Sequence, residues 1–144
     1  MVKNILFICK HNIFRSRVAE EFFKKFNKNG KYHASSAGII KWDKMDLRGD
    51  LGFLAEKKVA REFGINLDVK SRSLSSSLLR RTDILVVVAD DVPASLFRDK
   101  SFNGKILVWK IPDVKSDDKN KEAVARKAII FIGNKVKNFA GGLR

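Results

Sequence analysis

The apolar residues of this chain follow two alternating rhythms. The clearest short run is at 83–89, apolar on both faces, and shorter runs sit at 5–8 and 105–109. These read as strands, with 83–89 central in a parallel sheet. Between them the apolar positions recur at helical spacing. Val18, Ala19, Phe22, Phe23 and Phe26 mark one amphipathic helix. Leu54, Val59, Ala60 and Phe63 mark a second, stopped by Gly64. Ala125, Ala128, Ile129, Ile132 and Val136 mark a long last helix over about 120–139, ended by Gly141 and Gly142. A weaker strand reads at 31–36 after a polar stop at 27–30, and Pro93 can open a short helix through Leu96.

Strands that alternate with helices predict an α/β fold. The expectation is one domain over 1–144, with a parallel four-stranded sheet, helices on both faces and right-handed crossovers. The serine-rich stretch 73–77 joins two segments of this pattern and is too short to divide domains. Ligands of such sheets bind beyond the carboxyl ends of the strands. Chemistry is therefore sought in the residues that follow each strand.

Cys9 follows the first strand, and Arg15-Ser16 opens the first helix. A loop closing onto a helix N-terminus aims several backbone N–H groups at one point, and the helix dipole adds positive potential there. That suits an oxyanion, and the same field favours a thiolate, the nucleophilic form of cysteine. The backbone of Lys10, His11, Asn12, Ile13 and Phe14 would form the cradle. Arg15 brings a planar fork able to hold two oxygens at once. Ser16 is placed to donate a hydrogen bond to the sulfur.

Composition narrows the classes. With 44% hydrophobic and 32% charged residues, the chain is globular. No apolar run approaches the ~20 residues that span a bilayer, and no signal-peptide pattern opens the sequence. A cytoplasmic protein without a membrane partner is expected. Cys9 is the single cysteine, so neither an intramolecular disulfide nor a multi-cysteine metal site can form. The net charge of +14 reads mostly as a lysine-rich surface. The aromatics, mainly Phe, fall on apolar faces rather than within a basic patch, so nucleic acid is not an expected partner.

Cys9-x5-Arg15-Ser16, with Asn12 inside the loop, resembles the opening of the low-molecular-weight protein tyrosine phosphatases and their thioredoxin-linked arsenate reductase relatives. Ser36-Ala37-Gly38 resembles the family's segment after the second strand, and Lys70-x-Arg72-x-Leu74 a later element. The resemblance implies a phosphate-binding loop after the first strand, with Cys9 as nucleophile and no metal or other cofactor. It implies that Asn12 braces the loop, that Trp42 walls the substrate cleft, and that Asp90 supports the loop network. It also implies a general acid on the loop after the fourth strand, where Asp113 lies. Here Val114 stands where the family usually has proline, and Pro112 precedes the aspartate; Asp117 and Asp118 are alternatives. Phe14 occupies the place of a second cysteine found in many of these phosphatases.

The expected substrate is a phosphorylated protein or a small phosphate ester, with inorganic phosphate or another oxyanion as ligand. The expected state is a monomer or weak dimer. Two other readings stay open: an arsenate reductase using an external thiol, and a non-catalytic oxyanion-binding module.

Overall fold

The computed structural model describes residues 2–40, 49–68, 70–115 and 117–144. The first strand, β1 (Lys3–Cys9), is buried on both faces from Ile5 onward, as its unbroken apolar run requires. It pairs in parallel with β2 (Tyr32–Gly38) on one side and with β3 (Ile84–Val88) on the other. β4 (Lys105–Trp109) pairs with β3 and completes a parallel sheet in the order β2-β1-β3-β4. The edge strand β4 is only partly buried until Trp109. β2 runs two residues beyond the expected 31–36, because Ala37 and Gly38 find partners in Ile8 and Cys9.

Helices cover both faces. Phe7 and Ile5 point to the layer of α1 (Arg15–Phe26), α2 (Leu51–Glu62) and α5 (Lys121–Gly141), packing with Phe23, Val59, Ile129 and Ile132. Leu6 and Ile8 point the other way, against Leu79 of α3 (Ser76–Arg80) and Phe97 of α4 (Ser95–Asp99). This is the period-two alternation of a strand. Phe7 lies at the centre of an aromatic group, with ring centroids 5.9 Å from Phe23, 6.0 Å from Trp109 and 6.4 Å from Phe139. The fold is thus the expected α/β layer structure.

Local signals explain the helix ends. Asp50, Ser75 and Asn120 each accept a backbone N–H from the first turn of α2, α3 and α5. Gly64 follows α2 with φ of +77°, the left-handed conformation that glycine adopts without strain. Pro93 does not begin α4: its carbonyl accepts from Leu96 N–H in the turn before the helix. The second helix also differs in its facing. Leu54, expected on the apolar face, is exposed, and Glu56 is buried instead. Packing of Val59 and Ala60 into the core sets the rotation of the helix, and Glu56 falls on their side.

Parallel strands put all four carboxyl ends on one edge. Cys9 ends β1, Asp90 and Asp91 follow β3, and Asp113 follows β4. Among the described residues, no helix is long and apolar enough to cross a membrane.

Candidate active site

The chain leaves β1 at Cys9, turns through 10–14 and enters α1 at Arg15. The turn is tight because Asn12 takes φ of +58°, a conformation that asparagine tolerates better than most residues. It directs the Asn12 N–H at Cys9 Sγ, 3.3 Å away. Phe14 forms the helix N-cap without a side-chain cap, and the first turn of α1 carries no acid. The dipole and the first N–H groups of this helix are therefore not quenched by a carboxylate from its own first turn. The Phe14 side chain is buried in the core and Ile13 packs against the same core, so both serve the loop through backbone. Lys10 and His11 are partly buried. Burial pushes the His11 pKa down, with the Lys10 charge acting in the same direction.

Asn12 holds the loop from inside. Its Oδ1 accepts from the Arg72 N–H at 2.9 Å, which fixes the amide orientation. Its Nδ2 donates to Ser16 Oγ at 2.7 Å and to Ser36 Oγ at 2.9 Å. Ser36 in turn hydrogen-bonds the Glu20 carboxylate. Ser16 Oγ already accepts from Asn12, so its own O–H points to Cys9 Sγ, 2.9 Å away. Two donors thus converge on the sulfur and stabilise negative charge there. Ser36 and Gly38 belong to β2, and Gly38 is needed for space. A Cβ on it would stand 2.6 Å from the His11 carbonyl carbon and 2.8 Å from the Asn12 nitrogen.

Arg15 is 2% exposed, and its guanidinium faces the ends of β3 and β4. NH1 donates to the Ile111 carbonyl at 2.8 Å and lies 3.6 Å from Asp90. NH2 lies 3.1 Å from Asp91 and 3.8 Å from Asp113. Arg15 is therefore aimed by several acceptors, and with five N–H donors it is not saturated by them. Asp113 is partly exposed, and its Oδ1 accepts from the Val114 N–H at 3.0 Å. Asp117 is exposed, while Asp118 closes a turn by accepting from the Lys115 N–H at 2.7 Å. Of the three candidate acids, Asp113 is the one brought to Arg15. Trp42 lies outside the described residues.

Three carboxylates of this region did not stand out in the sequence. Asp91 approaches Arg15 more closely than Asp90 does. Glu20 accepts from Ser36 in the hydrogen-bond chain from the loop, and Glu56 is buried, where desolvation first and then the Asp113 charge raise its pKa well above the usual carboxylate range. Glu56 had a readable signal: an acid on the core side of a helix, three and four residues before Val59 and Ala60.

This geometry can hold a tetrahedral oxyanion against the Cys9 sulfur, with the Asp113 carboxyl beside Arg15. By sequence, no curated protein matches this chain. By fold, an arsenate reductase from Archaeoglobus fulgidus is similar at 25% identity, over 95% of this chain and 98% of that one, with a TM-score of 0.69. Vibrio vulnificus Wzb in complex with benzylphosphonate is similar at 21% identity, over 99% and 100%, with a TM-score of 0.70. The tyrosine phosphatase Wzb from Escherichia coli K30 in complex with sulphate is similar at 21% identity, over the whole of both chains, with a TM-score of 0.66. The family model for low molecular weight phosphotyrosine protein phosphatases matches residues 4–123, and this chain belongs to that family.

Proposed function

We propose that the protein is a cysteine-dependent phosphatase that hydrolyses phosphate monoesters, with phosphotyrosine protein as the substrate class, and that it works in the cytoplasm. The observation that carries this reading is the convergence on Cys9 Sγ of the Ser16 hydroxyl and the Asn12 N–H, under an uncapped helix N-terminus. Cys9 attacks phosphorus in line. Arg15 and the loop amides take the charge that develops on the equatorial oxygens. Asp113 protonates the leaving oxygen as its bond to phosphorus breaks, which gives a phosphocysteine. Asp113 then removes a proton from the water that attacks phosphorus, and Cys9 leaves as thiolate, helped by the Ser16 hydroxyl.

The test is hydrolysis of p-nitrophenyl phosphate with EDTA present. The parent chain turns over, and Asp113→Asn loses about 10²–10³ in kcat, the worth of a positioned acid. Inert parent protein contradicts the reading, and an unimpaired Asp113→Asn removes Asp113 from its role. Gly38→Ala tests the loop. Its Cβ meets backbone rather than a flexible side chain, so the loop must shift, and kcat/KM falls about 10²-fold. Unchanged kinetics and melting temperature would show that the close approach is unimportant.

Arsenate reduction is the second reading, supported by the likeness to the Archaeoglobus fulgidus enzyme. Cys9 is the chain's single cysteine, so that reaction needs an external thiol. Reduction of arsenate with added thiol, together with no ester hydrolysis, would favour it.

A further inference from the structure

On the face of the sheet opposite α1, α2 and α5, a groove of about 1010 Å³ lies between the short helices α3 and α4. Each of these helices leads back to the amino end of the next strand, β3 or β4. The groove therefore has two unlike ends. Toward the carboxyl ends of the strands it is walled by Ile39 and Leu74, and its middle by Leu79 and Leu96. Toward the amino ends it reaches Phe102, Arg80 and Lys100. One end is apolar and the other carries two cations.

The basic end is tightly held. Phe102 is buried, and Arg98 donates to the carbonyls of Phe102 and Gly104 at 2.9 Å each, with its guanidinium 5.8 Å from the Phe102 ring centroid. A Cβ on Gly104 would stand 2.5 Å from Phe102 Cζ, so glycine leaves the ring its room. Ser101 lines the groove with φ of +65°, a left-handed conformation that a serine keeps only where its surroundings hold it.

The charge of the groove has one sign. No acidic residue lines it. Of the acids nearest in sequence, Asp83 accepts from the Asn4 N–H at 2.7 Å and Asp99 is not part of the lining. Arg80 and Lys100 are exposed, and among the described residues neither forms an ion pair. The wall hydroxyls are already engaged: Ser75 caps α3, and Thr82 donates to the Leu78 carbonyl at 2.8 Å. The two free cations are thus the groups left to choose the head of a ligand. The volume is that of a small-molecule site.

We propose that this groove binds a small amphipathic carboxylate. Its apolar tail lies along Leu79 and Leu96 toward Ile39 and Leu74, and its carboxylate sits at Arg80 and Lys100. Burial of the tail supplies most of the affinity. The cations select the sign of the head. The site is separate from the Cys9 loop and does not rest on the phosphatase reading.

The test is a titration of the whole ¹⁵N-labelled chain with decanoate below its micelle concentration, followed by NMR. Decanol and decyltrimethylammonium serve as probes with the same tail. Saturating amide shifts are expected at Leu79, Arg80, Leu96, Lys100 and Phe102. Decyltrimethylammonium binds at least tenfold more weakly, because the head meets like charge. Hexanoate, four methylenes shorter, binds about 10²-fold more weakly. Arg80→Gln combined with Lys100→Gln weakens decanoate about tenfold, leaves decanol unchanged and melts with the parent, since both side chains are exposed. Leu96→Glu places an acid on the apolar wall and abolishes decanoate binding; if it fails to fold, the paired glutamine variant decides alone. Shifts confined to 10–16 would put the carboxylate in the oxyanion cradle and overturn the proposal. Shifts scattered over the surface lysines, equal affinity for the three head groups, or decanoate binding unaffected by the paired glutamine variant would each overturn it as well. Turnover plays no part in this measurement, so either result leaves the phosphatase reading where it stands.

Discussion

Cys9→Ser releases no phosphate above background from p-nitrophenyl phosphate, under conditions in which the parent chain turns over. The expected loss is about four orders of magnitude or more, because removing the nucleophile of a covalent mechanism leaves only binding and charge stabilisation. The substitution exchanges one small buried atom and keeps the loop. Asn12 still braces Ser16 and Ser36, and Arg15 still donates to the Ile111 carbonyl. A serine hydroxyl in this site is far less ionised than a thiol, so the cradle remains while the attack fails. Cys9→Ser should accordingly melt close to the parent and still bind inorganic phosphate. Loss of phosphate binding together with turnover would mean that the sulfur holds the loop open rather than attacking. Retained turnover would place the nucleophile elsewhere.

Arg15→Lys is the second large effect. The positive charge is kept, so a loss measures geometry. The guanidinium does two things in one plane: NH1 donates to the Ile111 carbonyl at 2.8 Å and NH2 lies 3.1 Å from Asp91, which fixes the fork over the loop. An ammonium cannot hold those anchors and also present two parallel donors to a phosphoryl group. Those donors matter most when the equatorial oxygens carry transition-state charge, so the loss falls mainly on kcat. The expected reduction is about 10³-fold, in the range seen for removal of positioned donors and arginines from phosphoryl-transfer sites. Steady-state kinetics beside a thermal melt separate this from unfolding. A change confined to KM would show that Arg15 binds substrate and transition state alike.

The parts of the site that rest on neighbours in sequence were legible there. Cys9 at a strand end and Arg15-Ser16 at a helix start follow from one apolar run and one helical rhythm, and the structure places them so. The carboxyl-end rule likewise put Asp90 and Asp113 on the edge that holds Cys9. What was missed depends on rotation and on partners distant in the chain. The apolar spacing favoured Leu54 for the buried face of α2, yet Val59 and Ala60 turn Glu56 inward and leave Leu54 exposed. Burial in that position pushes the Glu56 carboxyl well above the usual carboxylate range, and the Asp113 charge, from another element, acts the same way. Asp90 and Asp91 are adjacent, and sequence has no means to rank them; packing sets Asp91 closer to Arg15. Glu20 meets Ser36 only because β2 lies beside α1. The extension of β2 to Gly38 is likewise a property of its pairing with β1 rather than of its own residues.

The proposed mechanism passes through a covalent phosphoryl group on Cys9. Its most direct test is rapid acid quenching of the protein during turnover of p-nitrophenyl phosphate with EDTA present, followed by mass analysis of the Cys9 peptide. The expected result is a mass gain of one phosphoryl group on Cys9, more abundant in Asp113→Asn if water attack becomes the slow step, and absent in Cys9→Ser. Turnover with no modified Cys9 peptide, or with the phosphoryl group on another residue, would contradict it.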